Sequence, residues 1–512
     1  ILREMGPFLL SSLILIIILF AYRLYPRLRY KLPPGPFPLP VLGNLLTIEP
    51  EVAKCLENLA LKYGQIISIW TGTNLNVVVF SSQLAKEVLK DNDKELAHRP
   101  LSVPVDVMYK HGIGIVWSSY GPYYAKMRKI VTHELFSPKR MEALRAIREE
   151  EIGSMIKSIC RDSCSLVRRC DTNYDNSLEL RKYIDPVILN ALTMLVCGKR
   201  FVDDKGEIDS QGRELELLVR GEYQLGGSLS PAEHIWWLGW IFGFKRRQFA
   251  KHLARRDRFI RSILDDHRRN NTTTDGLNKP HLVHSLLTIG QTHQLSDDDV
   301  TFLIWDLLNT GMDTNVIVIE HTLGQLVKHP RVQSKAQEEL DRVIGSGRIL
   351  SESDLPNLPY LQCLVKESLR LHPPTPLMLP HRARSNVKIG GFDIPKGTTV
   401  MVDVRAVGRD PTVWKDPHEF RPERFLEEDV DYRGTDYRLL PFGAGRRMCP
   451  AAVLSYNLVC STIGRLVHQF SWAPPQGMLP EEIDLARGPG ITEYLRTPLR
   501  AVPIMRLPPH IY

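Results

Sequence analysis

At 512 residues, 43% hydrophobic and 24% charged, the chain is too long for one ordinary core and has the composition of a globular protein rather than a disordered one. A net charge of +8 over that length argues against a nucleic-acid binder, although a locally basic face could steer an acidic partner or anionic lipid. The eight cysteines are too thinly spread for a secreted disulfide scaffold and fit a reducing compartment; Cys160, Cys164 and Cys170 lie near one another but lack a CxxC or a histidine pair, which argues against zinc.

Residues 5–22 carry no charge and residues 13–20 are aliphatic or aromatic throughout, a stretch that just spans a bilayer. Arg23, Arg27, Arg29 and Lys31 follow at once, and the positive-inside bias leaves the rest of the chain in the cytosol. Residues 1–30 are thus expected to be a single N-terminal transmembrane helix anchoring the protein to membrane lipid. A cleaved signal peptide is the competing reading; it lacks a small-residue cleavage site, and its charge is on the wrong side. Residues 31–45 read as a proline-rich hinge, because five of residues 31–40 are proline and deny the backbone both helix and ladder bonding. The other use of such a segment is as a ligand for a proline-binding domain.

Residues 46–512 form the cytosolic body. Its first runs, 66–70 and 75–80, are joined by Thr71, Gly72, Thr73 and Asn74 and predict a hairpin. The polar tract 270–275 reads as an exposed loop, where the glycosylation-type triplet at Asn271 has no meaning in the cytosol. Runs 387–394 and 398–402, broken by Gly390, Gly391, Pro395 and Gly397, predict a second strand region. Most other segments read helical, so the fold class is mainly α with a small β subdomain.

The strongest helix covers Asp297–Lys328, opened by Ser296 and Asp299 as a capping pair and closed by His329 and Pro330. At about 1.5 Å per residue it spans about 48 Å, enough to cross a whole domain. Near its middle, residues 309–315 break an apolar run with polar groups. Gly311 lowers helix propensity and a threonine can bond back one turn, so local distortion is expected there. An acid and an alcohol side by side, Asp313 and Thr314, suit proton delivery; a solvated patch is the bland alternative.

Residues 441–448 are a glycine-rich loop that ends at Cys449, directly before a helix predicted over 450–469 with Pro450 at its first position. Amide hydrogens and the helix dipole would favour a thiolate at Cys449. Glycines let the backbone pass close to a flat cofactor, and Arg447 offers a planar fork for a carboxylate. In isolation such a cysteine is more often a core residue.

Phe442, Gly445, Arg447 and Cys449 together resemble the haem-binding signature of the cytochrome P450 family. Glu367 and Arg370, on a helix predicted over 360–371, and Arg424 resemble that family's Glu-Arg-Arg triad; residues 310–314 resemble its oxygen-activation motif. The resemblance spans essentially the whole chain. It implies the cytochrome P450 fold, haem b (iron protoporphyrin IX) with Cys449 as iron ligand, and Arg447, His381, Arg128 and Tyr124 on the propionates, with Phe442 in the same haem-binding loop. Tyr124 stands where tryptophan is usual, Ala451 where glycine is, and Asn315 where Thr or Ser is, which alters packing and water near the haem.

What the resemblance further implies is a monooxygenase in which Asp313 and Thr314 organise protons. No GxGxxG fingerprint is present, so NADPH and flavin are expected to act through a separate NADPH-cytochrome reductase, docking near Lys126, Lys129, Lys139 and Arg140. The endoplasmic reticulum membrane is the expected location. Segments 135–144, 232–235, 370–382 and 424–431 are similar to the coumaroyl ester 3'-hydroxylases of phenylpropanoid metabolism. The implied substrate is a small phenolic ester or amide, hydroxylated to its caffeoyl product. Thr310 and Asn315 depart from that branch's Ala and Thr, which leaves the acyl acceptor open. Expected pocket residues are 103–107, Asp306, 375–377, Ile491 and Thr492. Other phenolic or flavonoid hydroxylation, a reductase-free haem-thiolate isomerase or dehydratase, and a non-catalytic haem carrier are the alternatives.

Overall fold

The computed structural model describes residues 26–49, 51–167, 176–203, 205–226, 239–270 and 281–512. Residues 1–25 of the anchor expected over 1–30, Cys170, the 232–235 segment and Asn271 lie outside them, and no helix among the described residues is long and apolar enough to cross a membrane.

The proline-rich segment does not stand free. Ser68 Oγ donates to Pro33 O at 2.7 Å and Ser68 N to Pro34 O at 2.8 Å, fastening the segment to the first strand. A Cβ on Gly35 would collide with Ser68 O, so the approach needs glycine. After α1 (Val52–Tyr63), β1 (Ile66–Thr71) and β2 (Asn74–Val79) form the expected hairpin, with Gly72 at φ 57° in its two-residue turn.

The helical body comprises α2 (Val103–Met108), α3 (Pro122–Ile130), α4 (Arg145–Val167), α5 (Arg181–Cys197), α6 (Ser210–Gly226), α7 (Gly239–Asn270) and α8 (Asp297–Lys328), with the short β3 (Leu178–Glu179) before α5. Then come α9 (Pro359–Leu371), β4 (His381–Arg382), β5 (Val387–Ile389), β6 (Phe392–Ile394), β7 (Thr399–Val402), α10 (Ala452–Gln469), β8 (Phe470–Ala473) and β9 (Arg500–Met505). The main sheet runs β1-β2-β7-β4, with only β2 and β7 parallel; β5 pairs with β6, and β9 lies between β3 and β8. The mainly helical expectation with minor sheets therefore holds.

α8 packs on α5, α7, α9 and α10 and is buried along most of its length. Its capping box forms as expected: Asp299 N donates to Ser296 Oγ at 3.1 Å, and Ser296 N to Asp299 Oδ2 at 2.9 Å. The distortion expected at 309–315 is absent, and the helix runs through unbroken. Thr310 Oγ1 and Thr314 Oγ1 bond back to the carbonyls of Asp306 (2.6 Å) and Thr310 (3.0 Å), adding to the ladder instead of replacing it. Gly311 serves packing, since a Cβ there would meet Leu192 of α5 at 3.1 Å.

Glu367 on α9 is the centre of a buried ionic network. Its carboxylate accepts from Arg370 Nε (2.7 Å), Arg370 Nη2 (2.8 Å), Arg424 Nε (3.1 Å) and Arg421 N (2.8 Å). The two guanidiniums reach on to the carbonyls of Gly408, Pro417, Lys415 and Glu419, so one carboxylate ties α9 to the irregular stretch that leads to the cysteine loop. Glu367→Gln strands two buried guanidiniums. Loss of one member of such a network costs about 3–5 kcal/mol, read as a lower urea midpoint; an unchanged midpoint contradicts this reading.

Candidate active site

A cavity of about 310 Å³ is lined by α8 and by the loop carrying Cys449. From α8 come Asp306, Thr310, Gly311, Thr314 and Asn315; from the loop come Phe442, Gly443, Arg447, Cys449 and Ala451. Leu192 and Val196 of α5 close one side, and Thr375, Ile491 and Thr492 line it as well. The expected pocket residues 103–107 lie elsewhere: they form α2 at the cluster of Tyr109, Phe249 and Phe302. Pro376 and Leu377 are likewise not in the lining.

The loop presents the cysteine by backbone geometry. Cys449 N donates to Phe442 O at 2.9 Å, and Gly445, at φ 67°, passes so close to Leu89 O that a Cβ would collide. The following helix starts at Ala452, so Pro450 lies two residues before its first position. Ala451, at φ −96°, sits in a backbone conformation open to any residue, and its substitution for glycine is unstrained. Its amide bonds the Cys449 sulfur, and that bond and the Arg128 charge favour the thiolate. Burial outweighs both and pushes the thiol up. A bound cation is what ionises such a thiol.

Cations gather on one edge of the same cavity. Buried Arg99 donates to Leu379 O (2.8 Å), Pro380 O (2.7 Å) and Val116 O (3.1 Å). Half-buried Arg447 donates to Ala97 O (2.7 Å), Ile115 O (3.3 Å) and Ser118 O, and Arg128 to Met448 O. Among the described residues, none of the three has a carboxylate within ion-pair distance. Burial and the Arg447 charge pull Arg99 down to about 9. His381 Nδ1 lies 3.0 Å from Leu96 O, while its Nε2 is buried without a partner among the described residues; burial and Arg99 hold the ring down to about 3. Tyr124 lies beneath Arg447, 3.9 Å from guanidinium to ring, and its hydroxyl donates to Arg446 O at 2.7 Å. Uncompensated cations and an orphaned imidazole nitrogen beside a cavity that also holds a thiol fit the propionates and iron of a haem. Arg99 was not legible in the sequence, where nothing in its neighbourhood marks it.

On the α8 wall, Asn315 donates to Gly311 O (2.7 Å) and accepts from Ser455 Oγ (2.7 Å), stitching α8 to α10. Thr314 lines the cavity. Asp313 does not; it is bonded to Tyr494, and burial holds it above the usual carboxylate range. Lys126, Lys129 and Lys139 are exposed on and just after α3, the helix that carries Arg128 to the cavity. Asp306 Oδ2 accepts from Ile115 N (2.8 Å) and Val116 N (3.3 Å), while Oδ1 is buried without a partner among the described residues. Burial pushes Asp306 up to about 7.

Because its folded pKa exceeds the unfolded value of about 3.9, protonated Asp306 favours the fold. That contribution is present below about pH 4 and is lost as pH rises through about 7. Asp306→Asn keeps an acceptor for the two amides and cannot ionise. The native protein should therefore lose stability relative to this variant between those limits, by at most about 4 kcal/mol, measured by urea unfolding at each pH. A difference that stays flat with pH contradicts the assignment.

The cytochrome P450 family model matches residues 33–493. Cytochrome P450 98A2 of Glycine max is 52% identical over 508 residues, covering 99% of both chains, and cytochrome P450 98A1 of Sorghum bicolor is 48% identical, covering 97% of this chain and 96% of that protein. A zebrafish cytochrome P450 structure with abiraterone shares the fold, with a TM-score of 0.71 at 24% identity, covering 90% of this chain and 99% of that one. With a cysteine loop, a cation-rimmed cavity and this likeness along its length, the chain belongs to the cytochrome P450 family and is a monooxygenase.

Proposed function

We propose that this monooxygenase 3'-hydroxylates a p-coumaroyl ester or amide to the caffeoyl product in phenylpropanoid metabolism. The full-length likeness to two 98A-type relatives supports the branch, together with the segments at 135–144, 370–382 and 424–431. The observation that carries the chemistry is the placement of Cys449 and Thr314 in the lining of one largely apolar cavity.

Cys449 is the metal ligand in this reading. Arg447, Arg128, Arg99 and His381 hold the two propionates, Tyr124 supports Arg447, and Phe442 packs in the loop beside the sulfur. Haem b, held this way, supplies dioxygen binding and activation, with NADPH electrons delivered through the flavin of a reductase. The chain's own contribution is to exclude water, orient the phenol and meter protons. Apolar side chains from α5 and the Leu369 region keep bulk solvent away. The Thr314 hydroxyl, anchored on Thr310 O, would hold a water on the cavity side, and Asp313, the next residue back on α8, whose carboxyl burial raises above its usual range, would relay protons to it.

Residues 1–30 anchor the protein in the endoplasmic reticulum membrane, with the body cytosolic. The exposed lysines 126, 129 and 139 suit an acidic reductase face.

Membranes containing the protein, given NADPH, reductase and coumaroyl shikimate, should yield caffeoyl shikimate; no product from this or other coumaroyl esters and amides removes the substrate assignment. Thr314→Ala should keep NADPH oxidation while product per NADPH falls by roughly tenfold or more, as expected for a general acid-base element. Unchanged coupling would remove Thr314 from the proton path.

A further inference from the structure

Away from the cavity, three sulfur atoms from two elements meet at the surface. Cys160 and Cys164 stand one helical turn apart on α4, a spacing that puts both side chains on one face of the helix. Cys160 Sγ also lies 3.5 Å from Sδ of Met505, the last residue of β9. Neither cysteine is in a disulfide, both are half-exposed, and Met505 is 44% exposed. The remaining described cysteines other than Cys449 are buried, so these two are the accessible pair among the described residues. The monooxygenase reaction makes no use of them.

The donor set is selective. Among the described residues, no three His, Cys, Asp or Glu side chains are grouped as a metal site, so no carboxylate or imidazole completes a zinc tetrahedron here. Two thiolates and a thioether are soft ligands, which favour Cu(I) over zinc or the hard divalent ions. An ion about 2.3 Å from each of three coplanar sulfurs holds them about 4 Å apart. The 3.5 Å contact therefore has to open by only a fraction of an ångström, which the unbranched, exposed side chain of Met505 can supply.

We propose that Cys160, Cys164 and Met505 form a surface site for a soft monovalent cation of the Cu(I) class. Each thiol gives up its proton to solvent as its sulfur binds, and no electron is transferred.

The test uses haem-loaded protein, in which Cys449 is occupied, titrated anaerobically with Cu(I) against a chromophoric Cu(I) chelator. One equivalent should be held. Cys160→Ser with Cys164→Ser should weaken it by about 100-fold or more, and Met505→Leu by about tenfold. Cys170→Ser should bind as the parent does, Zn(II) should not be retained, and the copper absorption edge should report sulfur ligands alone. The carbon monoxide spectrum of the haem should be the same in every variant, separating this site from the cavity. Equal retention by the double serine variant, loss in Cys170→Ser, or nitrogen and oxygen ligands would mean an adventitious ion only and overturn the proposal.

Discussion

Positive charge without a counter-charge among the described residues is the constraint around which the cavity is organised. Arg99, Arg128 and Arg447 reach its lining by way of backbone carbonyls, and burial lowers the pKa of Arg99, of Arg447 and of His381 beside them. Carbonyl dipoles orient these groups but do not neutralise them, and a buried guanidinium without an anion is costly. The same cavity holds a thiol that burial keeps protonated. Neither anomaly is relieved by another side chain among the described residues; a ligand with two carboxylates on one edge and a metal at its centre relieves both.

The scaffold keeps these groups in register through a few long-range ties. The segment after Gly114 donates two amides to Asp306 on α8 and returns carbonyls to Arg447 and Arg99, so one short stretch links the substrate wall to the cationic edge. Asn315 and Ser455 join α8 to the helix that follows Cys449. Glu367 organises the stretch before the loop. The ties from Asp306, from Arg447 to Ile115 and between Asn315 and Ser455 each span more than a hundred residues, so the cavity depends on the complete fold rather than on any local motif.

Local signals were legible in the sequence and long-range ones were not. The bounds of α8 could be read from Ser296, Asp299 and Pro330 because capping chemistry is local, and the hairpin from Gly72 for the same reason. Cys449 stood out through its glycines, and the buried triad through its resemblance to a known family. Propensity misled at Gly311, where contact with Leu192 explains the glycine without a kink, and at Pro450, where the chain makes one more turn before the helix. At Cys449 the amide contribution was legible because it is local, whereas the opposing burial was not. Arg99 was missed because its cavity role depends on partners 280 residues away. Asp313 and Thr314 are adjacent in sequence, yet only Thr314 lines the cavity, because neighbours on a helix point about 100° apart.

The chemistry of the cavity depends on the sulfur of residue 449 binding haem iron. The direct measurement is the reduced, carbon monoxide-bound spectrum of the parent and Cys449→Ser proteins, alongside haem content. The parent should give the red-shifted Soret band of a thiolate-ligated haem and the variant should not. A serine variant that retains that band would contradict the assignment.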